Sequence, residues 1–197
     1  MNVKENKIKK IGIMGAYGSF SEQACQQYIS KKNVDNVEVV PLISAEKVLS
    51  SLEKGGVDLG LFPIENSNGG IVIEAVYAMA KYRFSVIDMF EFDVHHTLLV
   101  KPGTVASHIT TICSHDQALK QCRMYLKRIW PDVDLKPYSD TAEAAKDLAN
   151  GVLPNSTAVI APRLCAELFN LSIIEDSIQD LKFNYTTFLV VESLNDN

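Results

Sequence analysis

The chain has 197 residues, of which 47% are hydrophobic and 22% charged, and its formal net charge is −5. This composition is typical of a globular protein with a substantial core, and the negative charge gives no electrostatic reason to expect nucleic-acid binding. No apolar run is long enough for a signal peptide or a membrane span. The four cysteines are widely spaced and form no CxxC pair, which predicts a reduced, cytoplasmic protein and no metal site.

Strand and helix patterns alternate along the first ninety residues, which predicts a parallel sheet. A buried strand at 10–14 ends in the glycine-rich turn GAYG, and a helix follows to about Ser30, with Ser21 as its predicted N-cap. A strand at 37–42 and a helix capped near Ser44 come next. The turn does not have the spacing G-x-G-x-x-G, so it indicates a small anion and not a dinucleotide.

The stretch 61–70, LFPIENSNGG, predicts a buried strand that breaks at Pro63 and opens through small polar residues into a helix from Ile71. Such a junction turns backbone N–H groups toward the edge of the sheet, where anions bind. Taken alone, the stretch is also explained by an ordinary turn, since Asn, Ser and Gly suit turns. The helix is expected to bury its apolar positions Ile73, Val76, Tyr77 and Ala80.

Between residues 84 and 100 two strand patterns follow one another without a helix, which indicates an extended connection into a second lobe. His95 and His96 lie in this connection. Adjacent side chains of a strand point to opposite faces, so only one of the two histidines can face a given site. The simplest interpretation of either is a hydrogen-bonded structural histidine.

The second half of the chain repeats the alternation of strands and helices. A strand at 110–113 leads into a helix from Ser114 to about Trp130, with Ser114 as the predicted N-cap and Gln117 at the capping-box position. Strands at 135–138 and 158–161 each lead into a further helix, and a strand at 189–192 closes the chain. Several helices that begin with small polar residues indicate a site for a small anion.

Six segments, read in order, resemble the catalytic domain of the prephenate dehydratase family: GAYGSFSEQA, PIENSNGGIV, HHTLLV, SHDQALKQC, SDTAEAA and NYTTF. The resemblance implies an α/β fold of two lobes, similar to type II periplasmic binding proteins, with a ligand cleft between the lobes. It implies one catalytic domain over 1–197, with the first lobe at about 8–93 plus 183–193 and the second at about 94–182. Most family members carry a C-terminal ACT regulatory domain, which this sequence does not contain, so we expect either a stand-alone catalytic domain without that regulation or one part of a longer protein.

The family converts prephenate to phenylpyruvate in phenylalanine biosynthesis, with loss of CO2 and water. The resemblance therefore implies a lyase that acts on a small molecule without a metal or organic cofactor, and that forms a homodimer. By position, it implies that Thr186 is the catalytic hydroxyl. The implied substrate-binding residues are Ser19, Phe20, Asn66, Ser67, Gly70, Ser114, His115, Gln121, Thr141, Thr187 and Phe188.

Three positions depart from the family pattern. Ala16 and Asp116 each replace a proline, and Thr187 replaces the arginine of the family's T-R-F motif. Arginine and threonine are not interchangeable around a dianion. One alternative is therefore a decarboxylase that acts on prephenate without aromatising it, although Thr186 favours the dehydratase. A second alternative is an inactive module that binds a small anion, because a fold alone does not determine a function. Acceptance of arogenate is open.

Overall fold

The computed structural model describes residues 10–194 and divides into two compact units. Unit 1 contains the described residues up to Phe92 and those from Thr186 onward, and unit 2 contains residues 93–185. The expected start of the first lobe at residue 8 lies outside the described residues. Within residues 10–194, no helix combines the length and the apolar content that a membrane span requires.

The chain begins with strands and helices that belong to unit 1. In order they are β1 (Lys10–Ile13), α1 (Phe20–Lys32), β2 (Glu38–Pro41), α2 (Ala45–Glu53), β3 (Leu59–Asn66), β4 (Gly70–Ile71), α3 (Ile73–Met79) and β5 (Phe84–Asp93).

The chain then forms unit 2 and returns to unit 1 with its last strand. The elements are β6 (Thr97–Val100), a 3-10 turn (Ala106–His108), β7 (Thr111–His115), α4 (Asp116–Gln121), α5 (Arg123–Ile129), β8 (Asp134–Tyr138), α6 (Thr141–Ala149), β9 (Thr157–Ala161), α7 (Leu164–Leu168), β10 (Ser172–Glu175) and β11 (Tyr185–Ser193).

The sheet of unit 1 has the strand order β2-β1-β3-β11-β5, with β4 paired to the last residues of β3. β1 is parallel to β2 and β3, as helical crossovers require, while β11 is antiparallel to β3. Successive residues of β3 face opposite sides, so Leu61 packs in the core cluster beneath α1 and Phe62 in the cluster beneath α2 and α3.

Unit 2 has its own sheet, in the order β10-β6-β9-β7-β8. β7 is parallel to β8 and β9, whereas β6 is antiparallel to β9 and β10. Helices cover both faces: Ile112 packs with residues of α4 and α5, and its neighbour Cys113 packs with residues of α6. The predicted α/β fold is confirmed, and each of the two units contains one sheet.

β3 does not break at Pro63, which corrects the sequence prediction. The strand continues to Asn66, folds back through a tight turn into β4, and only then reaches α3. Pro63 is tolerated because β1 pairs only with residues 59–61, and because the register of β11 shifts beside Pro63, between Thr187 and Phe188. A proline without an N–H group fits at such a bulge.

Two predictions about helices are also wrong, one about the N-cap of α1 and one about the buried face of α3. The N-cap of α1 is Ser19 and not Ser21, because the Ser19 hydroxyl accepts the Glu22 N–H. In α3 the buried residues are Ala75 and Ala78. The four apolar positions expected in the core are exposed, Ile73 at 56% and Tyr77 at 68% among them. The prediction of a helix here is correct, but the predicted buried face is wrong. The two small residues Ala75 and Ala78 form the face that packs against the core.

All four cysteines lie among the described residues, and each is buried and free, as the sequence predicts. Burial raises the pKa of the Cys25 thiol to about 12, and the nearby Glu22 carboxylate adds to this shift. Burial also raises the pKa of Cys122. These thiols act as small apolar groups in the core.

Candidate active site

Thr186 and Asn66 meet where β11 pairs with β3. The register places Thr186 directly opposite Asn66, and the Asn66 side-chain nitrogen Nδ2 donates a hydrogen bond of 2.8 Å to Thr186 Oγ1. Thr186 is only 8% exposed. Two residues separated by 120 positions along the chain are thus brought into contact by strand pairing.

The turn after β3 fixes the orientation of the Asn66 side chain. Asn66 Oδ1 accepts hydrogen bonds from the backbone N–H groups of Asn68, at 3.0 Å, and Gly69, at 2.8 Å. A backbone N–H group can only donate, so the oxygen must face the turn and the nitrogen must face Thr186. Thr186 Oγ1 therefore acts as an acceptor toward Asn66, and its own hydrogen is directed elsewhere. This geometry suits a hydroxyl that donates to a ligand.

Ser67 and Gly70 belong to the same turn. Gly70 begins β4 with a backbone φ of +77°, a conformation that favours glycine, and it is the register partner of Asn66. The helix expected to open directly from this turn instead begins at Ile73, with the apolar Val72 at its N-cap. The N–H groups of Asn68 and Gly69 bind the Asn66 side chain, so the predicted anion cradle at a helix start is not formed here.

Ser19 and Phe20 lie at the start of α1. The Ser19 hydroxyl accepts the Glu22 N–H at 3.3 Å, and the Glu22 carboxylate accepts the Gly18 N–H at 2.5 Å. Gly15 has a φ of +146°, and a Cβ atom there would lie 2.5 Å from Ser19 Oγ, so the turn requires glycine. The first turn of α1 is thus held by the protein's own hydroxyl and carboxylate.

Thr187 and Phe188 follow Thr186 along β11 and differ in surroundings. Thr187 is half-buried, and its register partner is Glu65. Phe188 is 1% exposed and stacks on Phe90, with ring centroids 5.9 Å apart, while Phe92 meets it edge-on. Phe188 therefore packs in the core of unit 1.

In unit 2, Ser114 belongs to β7 and is not a helix cap, which corrects the sequence prediction. Its hydroxyl is fully buried and donates to the carbonyl of Ile160 at 2.6 Å. The N-cap of α4 is His115, whose Nδ1 accepts the Gln117 N–H at 3.3 Å. The Ser114 hydroxyl thus donates its hydrogen within the fold, and toward any other group its oxygen can act only as an acceptor.

Thr141 is the first residue of α6 and is buried. The preceding Asp140 caps the helix, because its Oδ1 accepts the N–H groups of Ala142, at 2.8 Å, and Glu143, at 3.0 Å. A carboxylate of the chain therefore occupies the position that a bound anion takes at other helix starts.

Gln121, at the end of α4, forms a hydrogen-bonded cluster with residues that the sequence analysis did not assign to the site. Its oxygen Oε1 lies 2.7 Å from His96 Nε2 and accepts from Asn184 Nδ2 at 2.9 Å. His96 and Asn184 are both buried. The sequence feature that could have identified His96 and Asn184 is their position in the family-like segments HHTLLV and NYTTF. Burial holds the pKa of His96 below its ordinary value, while the hydrogen bond to Gln121 opposes this shift.

The two adjacent histidines face different surroundings, but they lie in the connection between β5 and β6 and not in a strand, which corrects the sequence prediction. His95 is exposed, and its Nε2 lies 3.1 Å from an Asp93 carboxylate oxygen. Its Nδ1 lies 3.0 Å from Ser177 Oγ and 3.1 Å from Gln179 Nε2. Of the two, only His96 contacts a residue of the predicted site. Within residues 10–194, no group of three or more His, Cys, Asp or Glu side chains is arranged to hold a metal ion.

Comparison with known proteins identifies the family. The family model described as prephenate dehydratase matches residues 11–196. The chain is 31% identical to arogenate dehydratase 1 of Petunia hybrida over 182 residues, covering 92% of this chain and 42% of the relative. It is 30% identical to the bifunctional chorismate mutase/prephenate dehydratase of Stutzerimonas stutzeri over 184 residues, covering 93% and 48%. The chain thus spans less than half the length of these curated relatives.

A solved structure supports the same assignment. The prephenate dehydratase of Arthrobacter aurescens, in complex with L-Phe, matches with a TM-score of 0.85 at 26% identity, over 94% of this chain and 61% of that one. The fold is thus that of the prephenate dehydratases, which is similar to type II periplasmic binding proteins. The match of the family model to nearly every described residue, together with these relatives, shows that the chain belongs to the prephenate dehydratase family.

Proposed function

We propose that the protein is a prephenate dehydratase, which converts prephenate to phenylpyruvate, CO2 and water in phenylalanine biosynthesis. The observation that carries the proposal is the Asn66–Thr186 pair, in which the asparagine occupies one lone pair of the threonine hydroxyl and directs its hydrogen away. Family membership supports the same reaction. In this scheme the protein is a carbon–oxygen lyase that also decarboxylates its substrate.

The reaction breaks two bonds of the prephenate ring. The bond to the ring carboxylate breaks and releases CO2, and its electron pair moves into the ring. The bond to the ring hydroxyl breaks at the opposite carbon, and the oxygen leaves with one added proton as water. A hydrogen-bond donor at that oxygen lowers the barrier, because negative charge develops on it. Thr186 is too weak an acid to transfer its proton outright, so solvent supplies the proton while the hydroxyl donates.

Product analysis tests the proposal. The purified protein is incubated with prephenate at neutral pH, beside a control without protein because prephenate aromatises spontaneously in acid, and the product is identified by mass. Loss of both CO2 and water is the expected result. Unchanged prephenate contradicts the proposal and favours the inactive binding module. Arogenate is tested in parallel, since several relatives are named arogenate dehydratases.

A second candidate, the decarboxylase that does not aromatise prephenate, is favoured by one observation. Thr187 stands where the family has arginine, and its register partner is the acidic Glu65. Residue 187, beside Thr186, thus provides no positive charge to stabilise a leaving anion. Loss of CO2 alone, with the hydroxyl retained in the product, is the outcome that selects this candidate.

We also propose that the protein works as a homodimer in the cytoplasm. Four buried free cysteines support a reducing compartment. Exposed apolar side chains on α3 and on the edge strand β5, such as Tyr77 and Met89, support a further contact surface. Light scattering after size-exclusion chromatography tests the dimer, and a mass of about 22 kDa, that of one chain of 21.8 kDa, contradicts it.

A further inference from the structure

A second cluster of polar side chains in unit 2 brings together an aspartate, a histidine and a serine. The Nε2 atom of His95 lies 3.1 Å from an Asp93 carboxylate oxygen, and its Nδ1 atom lies 3.0 Å from Ser177 Oγ. More than eighty positions along the chain separate the serine from the histidine. None of the three residues was assigned to the candidate active site by the sequence analysis.

Gln179 determines which nitrogen of His95 carries the hydrogen. Gln179 Oε1 accepts the backbone N–H of His96 at 3.0 Å, and a backbone N–H group can only donate. The Gln179 atom that lies 3.1 Å from His95 Nδ1 is therefore the NH2 group, which requires Nδ1 to be an acceptor. The neutral His95 ring thus carries its hydrogen on Nε2, where the Asp93 carboxylate accepts it.

The same assignment fixes the direction of the Ser177 hydroxyl. Because His95 Nδ1 is an acceptor, the Ser177 hydroxyl must be the donor in the 3.0 Å contact. A hydroxyl that donates to an unprotonated imidazole nitrogen, while the other ring nitrogen donates to a carboxylate, has the arrangement that activates a serine as a nucleophile. Here Nδ1 faces the serine and Nε2 the carboxylate, and either ring nitrogen can accept a proton.

The backbone of Ser177 has an unusual conformation that its neighbours hold in place. Its φ is +56°, in the left-handed region that non-glycine residues seldom adopt. The Ser177 N–H donates to Asp176 Oδ1 at 2.9 Å, and the Ile178 N–H donates to the His96 carbonyl, also at 2.9 Å. Asp176 Oδ1 in turn accepts the Thr97 hydroxyl at 2.6 Å. Residues in such conformations cluster at functional sites, including those with a nucleophilic serine.

The Asp93 carboxylate is directed to His95 and to no other donor within residues 10–194. One of its oxygens contacts His95 Nε2, and the other, Oδ1, is buried without a hydrogen-bond partner in this part of the chain. A carboxylate in this position stabilises the imidazolium that forms when Nδ1 accepts a proton. His95 and Ser177 themselves are exposed, so a molecule in solution can reach the hydroxyl.

We propose that Ser177, His95 and Asp93 form a second reactive site, at which Ser177 is acylated by activated acyl esters such as aryl esters and thioesters. Ser177 is the nucleophile and His95 the general base, whereas Asp93 is a positioning residue that acts through His95. The proposal does not depend on turnover of prephenate. It names activated esters because their leaving groups are stable as anions, so a nucleophile and a base are sufficient.

The acyl transfer balances with water as the second reactant. The Ser177 oxygen forms a bond to the acyl carbon, the bond from that carbon to the leaving group breaks with its electron pair, and the hydroxyl proton passes to His95 Nδ1. The imidazolium then gives this proton to the leaving group. A water molecule, deprotonated by the same nitrogen, hydrolyses the acyl-serine, and the proton returns to the Ser177 oxygen.

A fluorophosphonate probe tests the nucleophile. The whole chain is incubated with the probe at neutral pH, and the labelled peptides are identified by mass spectrometry. Label on Ser177 is expected, because its oxygen displaces fluoride from phosphorus and forms a stable adduct. Ser107, an exposed serine of the same unit, is the internal control. No label on Ser177, or equal label on Ser107, overturns the proposal.

Replacement of the base tests the mechanism. We expect His95→Gln to slow labelling of Ser177 on the order of a hundredfold, because a glutamine amide cannot accept the proton. The exposed His108 provides the matched control, and His108→Gln should leave the rate unchanged. Release of p-nitrophenolate from p-nitrophenyl acetate should fall equally in His95→Gln and Ser177→Ala, with thermal unfolding as the control for folding. An unchanged labelling rate in His95→Gln overturns the proposal.

The tautomer of His95 tests the role of Asp93. In 15N-labelled protein, above the ordinary pKa of histidine, the His95 ring signal is assigned by its loss in His95→Gln, and hydrogen on Nε2 is expected. In Asp93→Asn, we expect this preference to weaken and labelling of Ser177 to slow by at least about tenfold. Hydrogen on Nδ1 in the wild-type protein, or an unchanged rate in Asp93→Asn, overturns the proposal.

Discussion

At the scale of single residues, the chemistry of the site depends on the orientation of amide groups. Asn66 is held by two backbone N–H groups, and it therefore presents its nitrogen to Thr186. Gln121 directs its oxygen toward Asn184 and His96. In both cases the amide acquires a fixed direction because its oxygen is occupied.

Replacement of Thr186 tests the role of its hydroxyl. We expect Thr186→Ala to lower kcat on the order of a hundredfold, with KM changed by less than about threefold, because the lost bond strengthens only in the transition state. Steady-state kinetics with prephenate measures both constants. Thr186→Ser is the matched control, since it keeps the hydroxyl, and an unchanged kcat in the alanine variant removes Thr186 from the mechanism.

Replacement of Thr187 tests the missing arginine. We expect Thr187→Arg to lower the dissociation constant for prephenate, because a guanidinium group pairs with carboxylates through two hydrogen bonds. Binding is measured by calorimetry at low and at high salt, and the gain should shrink as salt screens the charge. Thr187→Gln is the control, because it adds a longer hydrogen-bonding side chain without the charge. Equal affinity in the two variants shows that this position does not contact an anion.

At the scale of elements, the ends of helices were harder to predict than their presence. The sequence indicated one helix over 114–130, whereas the structure has two, α4 and α5, separated at Cys122. The interruption is stabilised by Asp180, whose carboxylate accepts the N–H groups of Met124 and Tyr125, both at 2.8 Å. A capping residue that lies more than fifty residues away cannot be recognised from the sequence pattern around the helix.

Removal of this remote cap should destabilise the protein. We expect Asp180→Ala to lower the free energy of unfolding by about 0.5–2 kcal/mol, the range typical of the loss of a helix N-cap. Urea unfolding followed by circular dichroism gives the difference. The exposed Asp132 provides the control, and a loss in Asp132→Ala as large as that in Asp180→Ala would show that charge alone, and not the cap, is responsible.

At the scale of the whole molecule, each unit builds its core on both faces of its own sheet, and some polar side chains are buried in the process. For His96, desolvation by burial lowers the pKa below its ordinary value of 6.5. The unfolded chain therefore binds a proton on His96 at a higher pH than the folded protein does. As the pH falls below about 6.5, this difference reduces stability.

The pH dependence of unfolding tests this linkage. We expect the melting temperature of the wild-type protein to fall between pH of about 7 and about 5.5, and the fall to be smaller in His96→Gln, which has no proton to gain at that position. The pKa values of the acidic residues are common to both proteins, so the difference isolates His96. Identical pH profiles would show that the imidazole gains its proton equally in both states.

The sequence by itself determined the order of strands and helices, the parallel pairing of the early strands, the reduced cysteines and the family, because local periodicity and motif spacing carry that information. It also placed Thr186 and Asn66 in matching motifs. Tertiary structure decided the rest. Whether Ser114 caps a helix or donates to Ile160, which face of α3 is buried, and how Gln121 is oriented all depend on partners distant in sequence. A donor or acceptor acquires its direction only when folding brings its partner within reach, and one chain position cannot specify that alone.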